Sequence, residues 1–365
     1  MTVLDDRDGL ASRDPSGMLG LVEGFAAQLR DAREVGTRAT ITASGRGVRA
    51  VVVAGMGGSA IGAEIASAHL SGVMGVPFLV VRNYELPAFV GRDTLVVAAS
   101  YSGNTEETLA AYCDAHARGA SVACITTGGA LAAAGEADGH DVLRIPAGFP
   151  PRAALGYGLV PLLILLGRLG LSPDPARDVE DAVEASVEAA ESWGGGVPAE
   201  RNAAKRLALW LEGGVQVVYG TTPRTAAVAS RWCGQLSENA KVVAHRADIP
   251  EMNHNELVGW SGDRPLAGAA RVVLLREAGD HPRNALRADF TRREVERAGA
   301  VSCEARGGGS GSLGRIVSLV LMGDLVSVYL AALAGADPTP VEPIGRLKKE
   351  LAATPWAPGT GRRTA

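Results

Sequence analysis

Apolar residues along the chain fall into two alternating patterns. Short unbroken runs, such as Arg49-Ala-Val-Val-Val-Ala-Gly55, read as strands buried on both faces, while apolar residues recurring every three or four positions read as helices. The first half predicts a helix over Met18 to Glu34, that strand, a glycine loop, and a helix near Ala60 to Leu70. Further short strands are expected at 78–82, 95–99, 121–126 and 142–145, with a helix at Thr105 to Arg118. Strands separated by helices predict a doubly wound parallel sheet.

The segment from Ser172 to Gly196 reads as one punctuated helix. Asp174 caps it, Pro175 opens it, Val179, Val183 and Val187 form its inward stripe, acids cover its outside, and three glycines end it. A second α/β run follows, with helices at 200–212, 224–241, 282–298 and 313–334 and strands at 215–219, 271–276 and 300–304. This divides the chain into an N-terminal segment 1–16, a domain 17–171, a connecting helix 172–199, a second domain 200–335, a C-terminal helix segment 336–353 and a tail 354–365. The expected class is α/β, each domain a parallel sheet between helices in three layers. Gly307 to Gly311 is expected to be a flexible loop.

Composition narrows the function classes. With 47% hydrophobic and 21% charged residues the chain should fold throughout. A net charge of −4 without a basic run argues against nucleic-acid binding. The four cysteines, Cys113, Cys124, Cys233 and Cys303, lack metal spacing and read as reduced core residues. The acidic N-terminus has no signal-peptide core, so a cytoplasmic protein is expected. Leu155 to Leu169 is apolar but too short to span a bilayer and reads as a buried helix, so no membrane partner is expected.

Two strand-to-helix loops carry candidate chemistry. In Gly55-Met-Gly-Gly-Ser-Ala-Ile-Gly62, glycines let backbone N–H groups converge, the helix start adds partial positive charge, and Ser59 adds a hydroxyl beside Gly58. The loop also fits a dinucleotide fingerprint, but the acid expected after the second strand is absent, and no Lys-Ser/Thr pair makes it a P-loop. In Ser100-Tyr-Ser-Gly-Asn-Thr105, the hydroxyls of Ser100, Ser102 and Thr105 can surround a terminal phosphate with neutral donors. A phosphate monoester suits this loop better than a pyrophosphate. The competing reading is that these hydroxyls merely cap a helix.

These loops resemble those of sugar isomerase (SIS) domains. Pro151-Arg152-Ala, Leu236-Ser-Glu-Asn-Ala-Lys241, Pro250-Glu-Met-Asn-His-Asn-Glu256, Asp337-Pro-Thr-Pro-Val341 and the Ile344 to Leu351 segment resemble the bifunctional phosphoglucose/phosphomannose isomerase family, in its order over nearly the whole chain. The resemblance implies two SIS-type domains and aldose–ketose isomerisation of hexose 6-phosphates through a cis-enediol. It implies Glu238 as the general base, Arg152 as the group stabilising enediolate charge, and His254 and Lys348 as assistants in ring opening. It also implies a homodimer in which the neighbouring subunit donates His254, and chemistry without a cofactor. A catalytic metal is not expected, since His254 and Glu256 have no second histidine at ligand spacing and His245 lies nine residues before His254. Other readings are a sugar-phosphate sensor without catalysis, disfavoured by too short an N-terminal segment for a DNA-binding helix pair, and an isomerase of another phosphosugar.

Overall fold

The computed structural model describes residues 2–262 and 265–354. In chain order it holds α1 (Arg7–Arg13), α2 (Met18–Glu23), α3 (Phe25–Arg38), β1 (Ala50–Gly55), α4 (Gly57–Leu70), β2 (Phe78–Val81), β3 (Thr94–Ala99), α5 (Glu106–Ala117), β4 (Ser121–Thr126), α6 (Gly129–Ala137), β5 (Asp141–Arg144) and α7 (Leu155–Arg168). There follow α8 (Ala176–Trp193), α9 (Ala203–Leu211), β6 (Val215–Gly220), α10 (Pro223–Ala240), β7 (Ala244–Asp248), α11 (Pro265–Ala269), β8 (Ala270–Arg276), α12 (Pro282–Arg297), β9 (Val301–Arg306), α13 (Ser312–Leu333) and α14 (Glu342–Ala353). Short 3-10 turns cover Val3–Asp5, Pro151–Ala153, Glu251–His254 and Glu256–Ser261.

The protein is α/β, with two wholly parallel sheets flanked by helices. One sheet has the order β2-β1-β3-β4-β5, the other β7-β6-β8-β9. Two compact units follow from the contacts: Ala27–Val179 with the segment from Val341 onward, which holds the first sheet, and Met1–Ala26 with Glu180–Pro340, which holds the second. These cuts differ from the boundaries expected at 17, 172, 200 and 336; at the N-terminal end the difference arises because the first residues pack into the second-sheet unit. Leu4 is fully buried there, and Asp5 accepts from the Ala199 N–H at 2.8 Å and from the buried Lys205 ammonium at 3.2 Å.

Several expectations are corrected locally. The single helix foreseen over Met18 to Glu34 is two helices, since Gly24 closes α2 with its N–H on the Gly20 carbonyl and α3 then runs to Arg38. Strand β7 has no apolar run to announce it: Ala-His-Arg-Ala-Asp is an edge strand, paired on one side only to β6. The expected tail lies, apart from Thr354, outside the described residues.

The first sheet's core forms as the strand runs predict. Val51, Val52 and Val53 of β1 and Leu95, Val96 and Val97 of β3 are fully buried, which is why these strands show no alternation. The Leu155 segment is the buried helix α7. In the second-sheet unit, α13 is long and apolar enough to cross a bilayer, yet 94% of its most apolar window is buried inside the protein. Its partner is α10: Gly323 of α13 sits against the Trp232 ring, whose indole N–H donates to the Leu319 carbonyl at 2.8 Å. Along the same seam Arg231 makes a bidentate pair with Asp324, at 2.9 and 2.6 Å, and Asn239 donates to Ser327. A buried charge needs such a partner, because desolvation otherwise costs several kcal/mol per ion.

The glycine loop before α13 has a structural cause. Asp181, expected on the solvent face of α8, is buried, and its carboxylate accepts from the N–H groups of Ser310, Gly311 and Gly314 and from the Ser310 hydroxyl. It thereby caps α13 from another helix. A Cβ on Gly314 would lie 2.3 Å from an Asp181 oxygen, so the close approach requires glycine. Burial by itself pushes the Asp181 pKa up, but the hydrogen bonds from Ser310, Gly311 and Gly314 prevail and hold it below the usual carboxylate value.

Replacing Asp181 by Asn is expected to lower stability by about 2 kcal/mol through the lost charged cap. Because the folded-state pKa is depressed, the contribution is complete above the unfolded-state value and vanishes as pH falls through the folded one. Urea midpoints of both proteins should therefore differ at pH 7 and begin to converge only below the unfolded-state aspartate value of about 4.

Candidate phosphate site and catalytic residues

In an open parallel sheet, a crevice forms beyond the carboxyl ends of the two neighbouring strands whose connections depart to opposite sides. In the first sheet those strands are β1 and β3, paired in register from Ala50 opposite Thr94 to Gly55 opposite Ala99. The two hydroxyl loops predicted to hold phosphate are the segments that leave these strand ends. The structure therefore brings Gly58, Ser59, Ser100, Ser102 and Thr105 to one end of one sheet.

Local geometry explains the composition of each loop. Gly55 lies so close to β3 that a Cβ would stand 2.9 Å from the Ala99 carbonyl. At Gly58 a Cβ would meet the Pro151 carbonyl at 2.7 Å, so this loop and the Pro151–Ala153 turn touch backbone to backbone. That contact places Arg152, which is only 5% exposed, beside the first loop. Gly103 has φ +70°, and a Cβ there would overlap the Gly128 carbonyl at 1.8 Å.

The hydroxyls are organised as neutral donors. Ser100 is buried, its hydroxyl lies 2.9 Å from that of Thr105, and it accepts from the Gly103 N–H at 3.1 Å. Ser102 is exposed and accepts from the Asn104 N–H at 3.2 Å. Neither Met56 nor Thr105, the cap residues of α4 and α5, accepts a side-chain hydrogen bond from its own helix. Neither helix start is closed by its own cap side chain, and an uncapped helix start favours an anion. Glu106 and Glu107 in the first turn of α5 oppose that charge, and Glu106 is engaged by the Tyr84 hydroxyl at 3.3 Å.

The small cavity beside the first loop is lined by Gly58, Ser59, Tyr101, Pro151 and Gly158 with the apolar Ala99, Ile125, Ile145 and Ala154, while Ser100, Ser102 and Thr105 do not line it. Tyr101 was not among the predicted residues, although it stands between the two serines. Its hydroxyl donates to the Pro146 carbonyl and accepts from the Phe149 N–H, and burial pushes its pKa up, keeping it neutral beside the phosphate loops.

The second sheet has the corresponding position, between β6 and β8, and a hydroxyl turn, Thr221-Thr222, at the end of β6. There the protein supplies the anion itself. The buried Glu277 carboxylate accepts from the Thr222 hydroxyl at 2.6 Å and from Arg224 Nε at 3.0 Å, while Thr222 and Thr225 close a capping box on α10.

The remaining predicted residues occupy separate elements. Glu238 is half-buried in the last turn of α10, and that turn is fixed by Lys241. Lys241 adopts φ 60° and donates from Nζ to the Glu238 carbonyl at 2.6 Å and to those of Pro338 and Pro340 at 3.3 and 2.6 Å. His254 is exposed at the end of a 3-10 turn after β7, in which Met252 is buried. Close to it in sequence, Glu256 accepts from the Tyr219 hydroxyl at 2.5 Å and lies 3.0 Å from His245 Nε2. The His245 and Glu256 side chains are therefore brought together by β7, which the sequence spacing did not reveal. Lys348 lies on α14, exposed along its length.

These features define the class. Residues 46–159 match the SIS domain family, and residues 200–351 match the family described as the bacterial phospho-glucose isomerase C-terminal SIS domain. A curated bifunctional phosphoglucose/phosphomannose isomerase of Caldicellulosiruptor bescii is 41% identical over 335 residues, 92% of this chain and 99% of that protein. One from Aquifex aeolicus is 40% identical, covering 83% of this chain and 90% of its own. A crystal structure of a hypothetical protein from Thermus thermophilus shares the fold at TM-score 0.72 and 19% identity, over 96% of this chain and 94% of that one. The chain belongs to the bifunctional phosphoglucose/phosphomannose isomerase family.

The loop geometry is testable with a pair of glycine variants. Gly103→Ala should lose sugar-phosphate binding and cost well over ~1 kcal/mol, because carbonyl overlap adds to the left-handed penalty. Gly119→Ala, also at φ +70° but with only the Arg92 side chain within 4 Å, should cost only about 1 kcal/mol and keep binding. Thermal melts and phosphate-ester titrations of both variants measure the difference.

Proposed function

We propose that this protein interconverts fructose 6-phosphate with glucose 6-phosphate and mannose 6-phosphate, acting as a homodimeric, cytoplasmic enzyme without a cofactor. The observation that carries the reading is full-length similarity to a bifunctional phosphoglucose/phosphomannose isomerase at 41% identity. The hydroxyl crevice at the first sheet supports it from chemistry, since a sugar 6-phosphate supplies the terminal monoester those donors suit.

In this reading Ser59, Ser100, Ser102 and Thr105, with the N–H of Gly58 and its neighbours, hold the phosphate and so fix the sugar's C6 end. Glu238 removes the proton from C2 of the open-chain aldose and returns it to C1, passing through a cis-enediol. A carboxylate is a competent base for so weak a carbon acid only when the developing oxyanion is stabilised, and Arg152 takes that role. His254 and Lys348 assist proton transfer during ring opening. His254 comes from the neighbouring subunit, a role its own exposure supports. Glucose and mannose phosphates share one enediol, so a single base serves both if either face of C2 is presented to it.

Coupled assays with each aldose phosphate, with and without EDTA, test the reading. Turnover of both in EDTA is expected, and turnover of neither would overturn it. Glu238→Gln should lower kcat by about 10²–10⁴-fold with KM little changed. Mixing inactive Glu238→Gln and His254→Gln chains under subunit exchange should restore activity if the two residues of one site come from different subunits, and should leave none if they come from the same chain.

A further inference from the structure

Apart from the phosphate crevice, the first-sheet unit carries a group of side chains that the isomerase reading does not use. His116 lies in the last turn of α5, Asp138 is the residue that ends α6, and His140 immediately precedes β5. Gly139, at φ +72°, turns the chain between the last two, and the His140 N–H is tied to the Gly135 carbonyl at 2.8 Å. Three separate elements thus deliver their side chains to one point. His116 Nδ1 lies 2.9 Å from His140 Nε2 and 3.7 Å from an Asp138 oxygen, and the three potential ligand atoms are all within 4.8 Å of one another.

We propose that His116, Asp138 and His140 form a binding site for a divalent transition-metal ion of the zinc class, with water completing the coordination. The donor set suits this class: two borderline imidazole nitrogens and one carboxylate oxygen favour zinc, cobalt or nickel over the all-oxygen ions calcium and magnesium. The spacing suits it too, since metal–nitrogen bonds near 2.0–2.1 Å in a tetrahedron put ligand atoms about 3.3 Å apart. The two His116 separations, 2.9 and 3.7 Å, straddle that value within a few tenths of an ångström, and the third pair lies within 4.8 Å.

Tyr112 supplies the outer support that such sites require. It is buried to 2% exposure one turn before His116, and its hydroxyl donates to Asp138 Oδ2 at 2.6 Å. Its ring stacks on His116 at 13° between planes and meets His140 edge-on at 82°. One buried phenol therefore orients the carboxylate and both imidazoles before any ion arrives. The alternative chemistry for the same geometry is a single N–H···N hydrogen bond between the histidines, which needs no ion.

Location assigns the role. The phosphate loops leave the carboxyl ends of β1 and β3, whereas His140 stands at the amino end of β5 in the same parallel sheet. A metal there would pin α5 and α6 to the sheet's edge strand and would not touch substrate.

The test uses the full chain, stripped of metal, titrated with zinc chloride against a chromophoric chelator and separately with cobalt chloride. One zinc equivalent per chain, a raised melting temperature and visible cobalt bands typical of low coordination number are expected. His116→Gln, a substitution at a half-exposed side chain, should abolish all three, His245→Gln should retain them, and Tyr112→Phe should weaken zinc affinity about 10–100-fold while keeping the cobalt bands. Absence of stoichiometric zinc binding, or its full retention in His116→Gln, would overturn the proposal and leave the histidine–histidine hydrogen bond as the account.

Discussion

Every helix starts with N–H groups that its own backbone cannot satisfy, and what this protein offers those groups decides which part of it can bind an anion. Four helix starts are answered in three ways. At α13 the answer is Asp181, a carboxylate from another helix held by three backbone N–H groups. At α10 it is a capping box of Thr222 and Thr225, with Glu277 close by on Thr222 and Arg224. At α4 and α5 the cap residues give no such bond, and glycines and neutral hydroxyls surround the helix starts instead. The two sheets are alike in topology, yet among the described residues the second crevice holds a protein carboxylate where the proposed reading leaves the first to an external anion.

This asymmetry organises the proposed chemistry. The first-sheet unit holds the phosphate loops and Arg152, and the second carries Glu238 on a helix whose other end is already neutralised. That helix is anchored along its length to α13 by the Arg231–Asp324 pair, the Trp232 hydrogen bond and Asn239. A base held on a rigid element is positioned more closely than one on a loop, and the seam between α10 and α13 supplies that rigidity.

Much of this was legible in the sequence where the signal is local. Valine runs marked β1 and β3, and glycine beside serine marked their loops, because a strand buried on both faces and a tight anion turn each restrict residue type within a few positions. Resemblance to family motifs singled out Glu238, His254, Lys348 and Arg152 as candidates, which no periodicity would have done. What stayed hidden depends on partners distant in the chain. Asp181 looked like a solvent acid on α8 because its partners begin at Ser310, and Glu277 looked like any residue after a strand. Strand β7 was missed because an edge position tolerates His, Arg and Asp, and the His116–Asp138–His140 group was missed because the fold alone gathers it.

Lys241 shows how narrow a tolerance one position can have. Its left-handed backbone is a conformation that glycine adopts most easily, while its three carbonyl contacts demand a long cation that glycine cannot provide. Glycine would relax the turn and untie the 338–340 segment; a shorter polar residue would keep the strain and reach nothing. Drift at this site therefore has almost no neutral route, and the 338–340 segment remains tethered to the turn that carries Glu238.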